Sequence, residues 1–106
     1  MQSEHVSAYW LVAQERTRQG ELKRSGKFVY GAEDPELTDA ELLTVLTEEV
    51  GEVAQEICPT IGHPELRSVQ QRIRLRDELV QVAAVAVGRI ELLNAQIARA
   101  QSGGAL

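Results

Sequence analysis

Glu41-Leu42-Leu43-Thr44-Val45-Leu46-Thr47-Glu48-Glu49-Val50-Gly51-Glu52-Val53 is the stretch that decides how this chain folds. At about 100° per residue, Leu42, Leu46, Val50, Val53 and Ile57 fall on one helical stripe, and Glu49, Glu52 and Glu56 line its edge. Charge needed only for solubility belongs opposite such a stripe, where Glu48 comes nearer to pointing. Glu49 and Glu52, three residues apart, can converge on one point. Like charges held together are costly unless a cation joins them, so the pattern points to a divalent-metal site on a helix, beside its core.

Working outward, Thr38 followed by Glu41 forms a capping box, with Leu37 and Leu42 placed as a hydrophobic staple. The helix therefore begins at Asp39, and it runs to about Ile57 because Pro59 cannot continue it and disfavours helix at Cys58. Cys58 to Pro64 turns the chain, and Pro64 suits the first position of a third helix reaching about Ala100. The middle of that helix, Leu79 to Val87, is apolar nearly all the way round and needs burial on several sides. A chain of 106 residues has too few helices to cover it, so a partner subunit is expected to share the core. Upstream, Ser3 to Lys23 reads as a first helix carrying Val6, Tyr9, Trp10, Ala13 and Thr17 at helical spacing. Ser25 to Glu36, with two glycines, a proline, Phe28 and Tyr30, reads as an ordered loop whose aromatics plug the bundle end or flank a base. The tail from about residue 101 should fray. The expected fold is all-α, one domain over residues 1–106.

Composition narrows the function classes. Hydrophobic residues at 43% and charged residues at 25% are ordinary for a soluble globular chain. A net charge of −5 argues against a general nucleic-acid binder, which needs Lys and Arg along a face to neutralise phosphates. It leaves room for a nucleotide held through a metal. Cys58 is the sole cysteine, so no intrachain disulfide forms and a cytoplasmic setting is the default. No uninterrupted apolar run approaches ~20 residues and no signal-peptide pattern opens the chain, so neither membrane insertion nor export is expected. His5 and His63 read as surface or loop residues.

A second acidic point answers the first. Glu78 stands at the entrance to the apolar run and Gln81 one turn further on. In an antiparallel hairpin, Glu52 with Glu78 and Glu49 with Gln81 share a midpoint at residue 65, beside Pro64, so the pairs are in register. The expectation is one site on two helices: Glu49, Glu52 and Glu78 as oxygen ligands, with the Gln81 amide oxygen alongside. Hard oxygen donors without nearby His or Cys favour Mg²⁺, or Mn²⁺, over zinc. The bland alternative is a salt-bridged surface, with Arg74, Arg76 and Arg89 as partners. It is weakened because Glu78 leads straight into an aliphatic core, where an unpaired charge costs several kcal/mol.

Glu48-Glu49-Val50-Gly51-Glu52 followed by Glu78-Leu79-Val80-Gln81 resembles the EExxE…ExxD pattern of the MazG-like, all-α nucleoside triphosphate pyrophosphohydrolases. Glu15 to Gln19 and Gly26-Lys27-Phe28 are similar to the segment preceding that motif in small members, and the likeness covers about residues 10 to 95. It implies a helical bundle completed as a homodimer or homotetramer, Mg²⁺ on the carboxylates, and cleavage of nucleoside triphosphates to the monophosphate and pyrophosphate, a nucleotide-pool housecleaning activity. Glu49, Glu52, Glu78 and Gln81 would take the metal positions. Glu48 would serve as base or hold a second ion, and Gln19, Lys23 and Lys27 would meet the substrate. The family's last Asp is Gln81 here, which brings an oxygen but no charge. Asp77 points about 100° away and does not replace it. Two further expectations stand beside this one: a catalytically silent helical dimer acting as a binding or regulatory module, and a phosphoribosyl-ATP pyrophosphohydrolase, which shares fold and chemistry but matches the upstream segment less closely.

Overall fold

The computed structural model describes residues 3–103. It is all-helical: α1 spans Ser3–Arg24, α2 Asp39–Ile57 and α3 Val69–Gln101, with no strand among the described residues. Both α1 and α2 pack on α3, which is the spine of the arrangement.

Each helix boundary has a local cause. α1 ends in a Schellman motif, in which the Lys27 amide donates to the Leu22 carbonyl and the Gly26 amide to that of Lys23. Gly26 takes the φ of 85° this turn demands. α2 opens on the expected capping box: the Glu41 amide donates to Thr38 Oγ1 at 3.2 Å, and the Thr38 amide to Glu41 Oε1 at 3.1 Å. Arg89 then ties that start to α3, donating to the Leu37 carbonyl at 2.7 Å.

α3 does not begin at Pro64. Pro64–Leu66 closes a 3₁₀ turn, after a first one at Cys58–Thr60. Arg67 (φ −66°, ψ 131°) is extended and interrupts the helical path. Ser68 then caps α3, its hydroxyl accepting from the Gln71 amide at 3.1 Å while the Gln71 side chain accepts from the Ser68 amide at 2.7 Å. Proline at N1 serves a 3₁₀ turn as well as an α-helix, and the Ser68-x-x-Gln71 box is the signal that separates the two. Arg67 braces the linker by donating to Thr60 Oγ1 at 2.9 Å.

The core is thin. Among the described residues, the only buried hydrophobic side chains are Ala32, Ala84 and Val85, and no large side chain is fully enclosed. Within one chain the 79–87 segment of α3 is covered only in part, as a chain with so few helices is expected to leave it: Ala84 and Val85 are buried, Leu79 is half exposed, and beyond the segment Ile90, Leu93 and Ile97 are about half exposed. Phe28 and Tyr30 do not plug the bundle end, for both are about half exposed. Ala32 makes the loop's close contact instead, its Cβ lying against Gly88 of α3, where an added Cβ would stand 3.0 Å away and force a small shift. By length and composition α3 also meets the requirement for crossing a membrane, its best 18-residue window having a mean hydropathy of 1.2.

Candidate metal centre and adjoining chamber

The α2–α3 hairpin brings Glu49, Glu52 and Glu78 together, one carboxylate oxygen from each lying within 4.8 Å of the others. Glu49 and Glu78 are partly buried and Glu52 is exposed. The antiparallel register also sets Glu56 beside Arg74, at 3.3 Å.

These carboxylates lack counter-charges. Among the described residues no Lys or Arg forms an ion pair with Glu49, Glu52 or Glu78: Arg74 goes to Glu56, Arg76 to the adjacent Asp77, and Arg89 to the start of α2. One oxygen of Glu49 and one of Glu78, both Oε2, are buried without any hydrogen-bond partner. Desolvation, a hydrogen bond with Glu52 and repulsion from Glu52 and Glu49 push the Glu78 carboxyl up to about 7. Glu49 is raised as well, by burial first and then by Glu52, Glu15 and Glu48, against a pull from Arg18. Unpaired, desolvated, mutually repelling oxygens are what a hard cation relieves, so the residues present fit Mg²⁺ or Mn²⁺.

Glu49 also belongs to a chamber of about 360 Å³ between α1, the 28–37 loop, α2 and α3. That volume suits a small-molecule site. Glu48, exposed, and Gln81 line it on the acidic side; Arg18, Gln19 and Lys23 line it on the α1 side, with Phe28 and Tyr30 at the loop. Gln19 donates to Glu15 at 3.2 Å, and Arg18 forms a two-pronged pair with the same carboxylate at 2.6 and 2.8 Å. Arg18 is thus the cation nearest in effect to Glu49 and is already engaged.

Lys23 faces the chamber but is bound to Glu33 at 2.7 Å and Asp34 at 2.8 Å. The pairing raises the Lys23 ammonium. It also lowers both acids, overcoming the opposing effect of burial at Glu33, with the Gly31 amide helping at Asp34. Arg16 holds Glu33 from the other side at 3.4 Å and reaches Glu91 of α3. Lys27 is exposed and does not line the chamber. Sequence reasoning missed the Glu33–Asp34 clamp. The only signal for it is two acids following a glycine in a loop.

No family model, curated protein or solved structure matches the chain. Its functional reading therefore stands on this geometry and on the motif in its own sequence.

Proposed function

We propose that the chain is a Mg²⁺-dependent nucleoside triphosphate pyrophosphohydrolase of the MazG-like type, cytoplasmic, housecleaning in role and working as a homo-oligomer. The observation that carries the reading is the convergence of Glu49, Glu52 and Glu78 without a cationic side chain between them. These three would hold the ion, with Gln81 offering its amide oxygen. When bound, the ion supplies charge neutralisation for the phosphates and makes water easier to deprotonate.

The remaining chemistry belongs to the chain. Water attacks the α-phosphorus, forming the new P–O bond of the monophosphate while the bridging oxygen leaves with pyrophosphate; Glu48 accepts the water's proton. Arg18 and Lys23 line the chamber from α1 and would meet the phosphates by exchanging their carboxylate partners, Glu15 for Arg18 and Glu33 with Asp34 for Lys23, while Gln19 adds an amide and Phe28 with Tyr30 forms an apolar wall. Lys27, outside the chamber, would meet only a group projecting from it. A catalytically silent binding or regulatory module is the second reading, and the uncharged Gln81 favours it. Pyrophosphate release from a panel of nucleoside triphosphates with Mg²⁺ or Mn²⁺ decides between them. The expected result is turnover that Glu52→Gln abolishes and Gln81→Asp increases. No turnover in either the wild type or Gln81→Asp would leave the binding module.

A further inference from the structure

Lys23 stands one turn beyond Gln19 on α1 and faces the chamber with its ammonium already occupied. Glu33 holds it at 2.7 Å and Asp34 at 2.8 Å, and Glu33 lines the chamber itself. An anion thus sits in the chamber on the cation that a ligand phosphate would need. Gly31 leaves room for it: the Glu33 carboxylate folds back over this residue, and an added Cβ would collide with both of its oxygens.

Each acid has a second partner that does not move with Lys23. Glu33 accepts from Arg16 at 3.4 Å, and Asp34 accepts from the Gly31 amide at 2.8 Å. Arg16 is fixed in place, for it also reaches Glu91 on α3, its guanidinium lies against Gly88, and its side chain is only 19% exposed. Lys23 is the member able to leave. It lies in the last turn of α1, on a flexible stem whose ammonium can aim its donors in several directions. When it turns to a ligand, neither acid is orphaned, which keeps the cost of the exchange low.

We infer that Glu33 is an internal competitor for Lys23, its carboxylate standing where a phosphate of the ligand goes, and that Arg16 is the positioning residue that retains Glu33 when the ligand takes Lys23. The ligand that makes the exchange is a polyphosphate, which brings more negative charge to Lys23 than the single carboxylate leaving it in the chamber. The sign of the effect separates this role from a structural one. An ion pair that only shaped the loop would weaken binding when removed, whereas a competitor strengthens it. The inference rests on the preceding reading for its ligand class but not for its chemistry, so phosphate binding and pyrophosphate release can fail separately.

Calorimetric titration of the whole chain with tripolyphosphate at constant Mg²⁺ tests it. Glu33→Gln should tighten binding about fivefold. Lys23→Met should weaken it, and in that background Glu33→Gln should change nothing. Arg16→Gln should also weaken it, because Glu33 then depends on Lys23 alone, and adding Glu33→Gln should restore at least the wild-type affinity. Glu36→Gln removes the same charge from an exposed residue of the same loop that joins no ion pair among the described residues, and it should leave the affinity within about twofold. Glu33 and Lys23 are partly exposed, so the first two variants do not depend on the more enclosed Arg16 variant folding, and circular dichroism checks the helices of each. No binding by the wild type, weaker binding in Glu33→Gln, equal tightening in Glu36→Gln, tightening that survives Lys23→Met, or no rescue of Arg16→Gln would each overturn the inference. Pyrophosphate release without these shifts would overturn it and leave the enzyme; the shifts without turnover would leave it standing on a binding module.

Discussion

Glu52 and Glu78, on different helices, bring carboxylate oxygens within 4.8 Å of each other, and Glu49 adds a third to the same point. Three acids at one place with no base among them destabilise the chain until something positive arrives. The first consequence concerns metal. Saturating Mg²⁺ or Mn²⁺ should raise the melting temperature by binding only the folded state, by about 2.7 kcal/mol at one hundred times Kd, which for a domain of this size is on the order of 10 °C. EDTA should reverse the rise, and Glu52→Gln should remove most of it. Calorimetry of both proteins with and without the ion is the check; an equal rise in the variant would place the ion elsewhere.

The same crowding sets a pH dependence. Glu78 is raised from 4.5 to about 7, so between those values the folded state holds a proton the unfolded chain has released. Stability of the metal-free protein therefore falls as pH rises through that window. Glu33 and Asp34, with lowered values, contribute stability that is complete above 4.5 and is lost only toward stronger acid. Thermal scans in EDTA should give a higher melting temperature at pH 5.5 than at pH 7.5, and Glu78→Gln should flatten the difference. The increment from Mg²⁺ should run the other way and grow toward pH 7.5, because protons and metal compete for the same oxygens.

Two helical glycines give opposite predictions. A Cβ at Gly51 meets nothing within 4 Å, so Gly51→Ala should stabilise by about 0.5–1 kcal/mol through helix propensity. A Cβ at Gly88 would lie 3.0 Å from that of Ala32 and 3.1 Å from Arg16 Nη1. Gly88→Ala should therefore cost about 1–3 kcal/mol by overpacking and loosen the loop against α3. Urea unfolding of the two variants beside the wild type measures both signs.

Ser68→Ala should lower stability by about 1 kcal/mol through loss of the α3 cap. The urea midpoint should fall with the slope unchanged. A change in slope would mean that the linker, and not only the cap, had been reorganised.

The limits of sequence reading here follow the range of the interactions. Thr38 and Glu41 satisfy each other within one turn, so the start of α2 was legible to the residue. The placing of Glu49 and Glu52 toward Glu78 was legible because helical phase and hairpin register are both arithmetic on sequence positions. The start of α3 was misread because Pro64 answers to two kinds of turn and Ser68-x-x-Gln71 was overlooked. The pairing of Lys23 with Glu33 and Asp34, and the burial of Ala32 on Gly88, come from folding the loop back over α1 and α3, and no local pattern announces them.

The link between α2 and α3 is a pair of 3₁₀ turns around Gly62, then one extended residue and a fresh cap. Because α3 restarts at Ser68, an extra residue gained near Gly62 can be absorbed before the new helix sets its phase. One gained between Val69 and Glu78 would swing Glu78 by about 100° and out of the trio. Length variation in descendants of this sequence is thus permitted on one side of Ser68 and forbidden on the other.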